Sequence, residues 1–110
     1  MLIVIASDPR TSHRPAEAIR VTAGLAALGE LSIDVCFCQA AALILHLSPT
    51  SFRDADLLAQ HLPMIEQYCP NIYAESGDPY LEGEARLPYQ RIGMNELTAL
   101  ANRHSQVVRF

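Results

Sequence analysis

The sequence predicts an α/β domain of three layers, with a mainly parallel five-stranded sheet and helices on both faces. Three observations carry this. Apolar runs rich in β-branched residues alternate with stretches of helical spacing, the pattern of strands joined by helical crossovers. At 110 residues and 12.1 kDa the chain has room for one domain, residues 1–110, and no linker or internal repeat divides it. Hydrophobic residues make up 50% and charged residues 18%, which supplies a packed core and argues against disorder.

The elements follow in order. Residues 2–6, Leu-Ile-Val-Ile-Ala, form a continuous apolar run that suits a strand buried on both faces, stopped by the polar segment 7–12. A helix is expected from about Pro15, because proline is favoured in the first helical turn. Ala16, Ile19, Ala23, Ala26 and Ala27 recur on one side, and Gly29 is a C-terminal stop. Residues 31–38 predict a second strand and residues 40–46 a short helix, halted by Ser48-Pro49. Thr50 or Ser51 is placed to cap a helix over 53–67, in which Pro63 threatens a kink or a split. Residues 71–75 predict a third strand, followed by the turn Ser76-Gly77-Asp78-Pro79 and a short helical turn to Gly83. Residues 87–92 give a weaker strand, Asn95 a cap for a last helix, and residues 106–110 a final strand.

Composition narrows the functional classes. The formal net charge is -4, with a pI near 5.4, which argues against a positive face for nucleic acid or anionic membrane. The apolar run 40–45 is far short of the roughly 20 residues that span a bilayer, and the N-terminus has no basic segment of the kind that opens a signal peptide. All 8 basic residues are arginine, so lysine Schiff-base chemistry and the phosphate-binding P-loop lysine are excluded. The 3 cysteines, an odd number in a chain with no export signal, point to free thiols in the reducing cytoplasm.

Ligands in parallel α/β sheets sit outside the carboxyl ends of the strands. Three segments qualify here: 7–14, 38–41 and 75–79. Cys36 and Cys38 are two apart on one predicted strand and share a face, so they are candidates for a thiol pair or persulfide carrier. Cys38 stands before a predicted helix, whose N-terminus would favour its thiolate. Equally, both are what a small buried apolar residue in a central strand looks like. Same-strand geometry disfavours a disulfide between them. Cys69, before Pro70, is either an exposed thiol or a packing residue. Glu75, Ser76 and Asp78 fall on a carboxyl-end loop whose two carboxylates suit acid–base work or the binding of a cation or other ligand, or which is merely a turn with Asp78 as a cap. Ser7, Asp8 and Arg14, in a loop ahead of a helix, are candidates for binding a small anion, or form a solvated capped loop. No glycine-rich nucleotide fingerprint supports a cofactor there. His13, His46, His61 and His104 lack metal-ligand spacing, so neither a metal nor a cofactor is expected.

Four stretches resemble the DsrE/DsrF-like family of small sulfur-relay proteins, particularly its TusC/DsrF branch. They are the helix 14-RPAEAIRVTAGLAAL-28, the strand-to-helix segment 33-IDVCFCQAAALIL-45, the strand and turn 72-IYAESGDPYLEG-83, and the ending 97-LTALANRHSQVVRF-110. The resemblance implies a flavodoxin-like subunit that assembles with copies of itself or with related DsrE-type chains and meets a sulfur-carrier protein. Active members of the family hold a persulfide on a cysteine at the end of the third strand. Here that position aligns with Glu75, and a carboxylate cannot carry a persulfide.

Three functional readings result. The first is a non-catalytic or regulatory subunit associated with intracellular sulfur relay. The second is a sulfurtransferase or persulfide carrier that uses Cys36, Cys38 or Cys69. The third is a small anion- or nucleotide-binding α/β domain working through the loop 7–14. Helices apolar on more than one side, with Gly24, Ala26, Ala27 and the run 40–45, point to an oligomer.

Overall fold

The apolar run at residues 2–6 supplies a strand, the run at 40–45 does not, and the strands pair in parallel. The computed structural model describes residues 1–75 and 80–110. In order the elements are β1 (Leu2–Ile5), α1 (Arg14–Leu28), β2 (Asp34–Cys38), a 3-10 segment (Gln39–Leu45), a 3-10 turn (Pro49–Ser51), α2 (Ala55–Tyr68), β3 (Ile72–Glu75), β4 (Gln90–Arg91), α3 (Met94–Arg103) and β5 (Val107–Arg109). The predicted turn at 76–79 lies outside the described residues. The strand order, which the sequence left open, is β4-β3-β2-β1-β5.

Register divides the sheet residues between two faces. Ile3 lies beside Val35 and Val35 beside Ile72, while Val4 lies beside Cys36 and Cys36 beside Tyr73. Alternate residues point to opposite sides, so these two rows face opposite layers. Face one carries Ile3, Ile5, Val35, Phe37, Ile72 and Ala74 and is covered by α1, α2 and the segment 39–45. Face two carries Leu2, Val4, Cys36 and Cys38, and is covered by Leu97 and Leu100 of α3 together with Ile92. All the residues of β1 and β2 are buried, which explains why their sequences are apolar without alternation.

Local chemistry sets the helix limits. Proline occupies the first turn of α1, and Gly29 ends it in the left-handed region at φ 75°, its N–H donating to the Ala26 carbonyl. Within α1 the buried Thr22 hydroxyl donates to the Ala18 carbonyl at 2.6 Å, which satisfies it without a tertiary partner. Helix α2 continues through Pro63, whose ring faces solvent while Leu62 and Ile65 face the core. The predicted split does not occur, because packing of the apolar stripe holds the helix past the missing hydrogen bond.

Several boundaries move. The expected short helix at 40–46 is a 3-10 segment, entered through Gln39 at φ 52°, a sparsely populated conformation for a residue with a Cβ. Thr50 and Ser51 belong to a 3-10 turn rather than capping α2, which follows Asp54. The last helix is preceded by Gly93, not capped by Asn95, and the Glu96 side chain accepts the Gly93 N–H at 3.1 Å. The fourth strand shrinks to two residues.

At the amino end of the sheet a polar clamp ties three elements together. Asp34 accepts from Asn71 Nδ2 at 3.1 Å and pairs with His104 Nε2 at 3.1 Å. It links the starts of β2 and β3 to the end of α3 in a mostly buried setting.

Candidate functional site

The most chemically distinctive cluster stands toward the carboxyl end of the central strand. Strand parity puts Cys36 and Cys38 on face two, and their sulfurs are 3.8 Å apart. No disulfide joins them. Cys36 is 0% exposed and Cys38, the last residue of β2, is 5% exposed. The pair is walled by Val4, Ile92, Leu97 and other apolar side chains of face two.

Two charged residues from other strands lie on the same face. Glu75 ends β3 directly beside Cys38. Arg109 lies beside Val4, two strands from the pair on the same face. Hydrogen bonding between the thiols makes them unequal: the Cys36 thiol, donating to its neighbour in a desolvated site, is held well above the ordinary range. The Cys38 thiol is pulled below its usual value by that donated hydrogen bond and by the Arg109 charge, against burial and the Glu75 carboxylate. The pair therefore titrates as a unit, and the hydrogen bond between the sulfurs favours a single thiolate with the second thiol as its donor. Helix-N-terminal activation is not needed to account for this.

Cys69 belongs elsewhere. It follows α2 at the amino end of β3, on face one. Burial, with a smaller contribution from Asp34, pushes its thiol up to about 11. It borders a groove of about 310 Å³ with Glu66, Asn71 and Tyr89, away from the carboxyl end where the other two sulfurs stand.

The loop after β1 is largely satisfied by its own side chains. Asp8 accepts from the Arg10 backbone N–H and guanidinium, the latter at 2.8 Å, and this holds its carboxyl below the usual range. Ser12 Oγ accepts the Arg14 N–H at 3.1 Å, and Arg53 donates to the Thr11 carbonyl. Ser7 is half-buried and Arg14 is exposed at the first position of α1. The loop's carboxylate and Arg10 thus neutralise each other. Glu75 is half-buried at its strand end, and the other two residues proposed beside it, Ser76 and Asp78, lie outside the described residues. Among the described residues no group of three or more His, Cys, Asp or Glu side chains is placed to hold a metal ion. Among the described residues no helix is long and apolar enough to cross a membrane.

Sequence reasoning placed Cys36 and Cys38 on one face, and Glu75 at the end of the third strand. It did not associate Arg109 with them. Strand parity within 106–110 contained that signal, but only the pairing of β5 with β1 makes it count.

Neither the sequence profiles of known protein families nor the sequences of curated proteins give a match to this chain. Among solved structures, the crystal structure of the YchN protein from E. coli superimposes with a TM-score of 0.81 at 14% sequence identity, covering 99% of this chain and 97% of that one. YchN has the DsrE/DsrF-like fold, and the likeness gives this chain that fold.

Proposed function

We propose that the chain is a non-catalytic or regulatory subunit of DsrE/DsrF type, associated with sulfur relay in the cytoplasm, which does not itself carry the relayed sulfur. The supporting observation is Glu75 at the end of β3, where the family resemblance places the persulfide cysteine in active members. The burial of all three thiols agrees with this. Persulfide transfer needs a thiolate that a donor can reach, and Cys36 and Cys69 are both buried and held protonated at neutral pH. In this reading the chain assembles with copies of itself or with related chains, and its partners meet the sulfur carrier.

One observation favours a second reading, sulfur transfer through Cys38. Its depressed thiol at a strand end is the one sulfur of the three suited to attack a donor persulfide and to depart afterwards as a thiolate. Intact-mass measurement after incubation with a low-molecular-weight persulfide separates the two. The first reading expects no added sulfur on the folded protein. A gain of one sulfur atom that Cys38→Ser alone abolishes would replace it with the second.

A further inference from the structure

The two sulfurs together support a binding site that goes beyond both readings. We propose that Cys36 and Cys38 form a two-thiolate site for the soft monovalent ion Cu(I). Spacing is the first ground. Two-coordinate Cu(I) takes its thiolates nearly in line at about 2.2 Å each, so a loaded pair stands roughly 4.3 Å apart, and the sulfurs here are 3.8 Å apart. One ion therefore bridges them with little movement. A disulfide, by contrast, requires them to close to about 2.05 Å within one strand.

The surroundings select the ion. Thiolate donors favour soft metals, and the apolar walls from Val4, Ile92 and Leu97 offer no oxygen to a hard cation. Zinc ordinarily demands four protein donors, or three and a water. Glu75 lies beside Cys38 in the sheet, yet with the pair it forms no group of three side chains placed to hold a metal ion. A d10 monovalent ion that accepts two sulfurs is what this donor set leaves.

Charge balance is consistent with that. Cu(I) replaces the proton of each thiol, giving a bis-thiolate complex of one negative charge and releasing both protons to solvent. Arg109 lies on the same face within electrostatic reach and opposes that charge, while Glu75 limits the gain. Proton release makes the affinity rise with pH. Cys38 at the strand end is the entry ligand, and Cys36 the enclosed one.

The test titrates the full chain with Cu(I) anaerobically against a chromogenic Cu(I) chelator, at pH 6 and pH 8. One bound equivalent is expected, tighter at the higher pH. Cys36→Ala and Cys38→Ala should each weaken binding by ~100-fold or more, since each removes the gain of a second thiolate held in place. Cys69→Ala should leave it unchanged, and Zn(II) alone should not bind. Circular dichroism verifies that the variants are folded. Should either fail to fold, copper-edge X-ray absorption of the wild-type complex decides, with sulfur-only neighbours expected. No binding by folded wild-type protein, binding that survives loss of Cys36 or Cys38, or nitrogen and oxygen neighbours at the copper would overturn the proposal. These outcomes are independent of persulfide loading and leave the functional reading to its own experiment.

Discussion

Face one of the sheet is closed by α1, α2 and the segment 39–45, whereas face two depends on α3 and Ile92. Cysteine behaves differently on each. On face one Cys69 is a buried thiol pushed up to about 11, chiefly by burial. On face two Cys36 and Cys38 hydrogen-bond to each other at a strand end, and Arg109 and Glu75 act on Cys38. Burial alone makes a cysteine inert; burial with a donor on the same strand and a cation two strands away lowers one thiol of a pair. The thinner layer is the one that holds the chemistry.

The difference can be probed by substitution. Phe37 is the largest fully buried side chain and faces the thicker layer. Phe37→Ala is expected to lower global stability by about 3–5 kcal/mol through lost burial and a residual cavity, as read by urea unfolding. Leu97→Ala removes a contact of α3 with face two. It should cost about 2–3 kcal/mol, and much of that should appear as local opening. Alkylation of Cys38 in the folded protein would then accelerate by a factor on the order of 10 to 100, with Cys69 unchanged. Equal acceleration of all three thiols would show that the layers open together, which ends the comparison.

Cys69 gives a pH signature. Its folded value of about 11 lies above the 9.0 of an ordinary thiol, so its protonated form favours the folded state. That contribution is complete below pH 9 and is lost as pH rises through 11, a change on the order of 2–3 kcal/mol. Cys69→Ala should flatten the fall in stability over this window relative to wild type, and an unchanged slope would count against burial as the cause. The smallest effect is expected from Arg109→Gln. Without the cation the Cys38 thiol rises, and alkylation near neutral pH should slow a few-fold with little change in stability.

Much of the fold was legible because its signals are local. The run 2–6 marks a buried strand through its composition, and Gly29 marks a helix end through the backbone conformation it permits. Legibility failed where local preference met a tertiary demand. Pro63 predicts a break, yet packing of Leu62 and Ile65 carries α2 past it. The alanine-rich run 40–45 predicts a helix, yet the tight exit from β2 at Gln39 makes it 3-10. For the candidate site, the shared face of Cys36 and Cys38 follows from a period of two, whereas the role of Arg109 follows from strands that are neighbours only in space.

By itself, then, the sequence determined an α/β class, the succession of strands and helices, the Cys36–Cys38 parity and the position of Glu75. Each of these depends on residues within a few places of one another, where backbone preference and apolar periodicity act. Tertiary structure alone decided the order β4-β3-β2-β1-β5, the unequal cover of the two faces, and the meeting of Glu75 and Arg109 around the sulfurs. Strand neighbours are chosen by which arrangement buries both faces of the sheet at once, a property of the whole chain that no local stretch encodes.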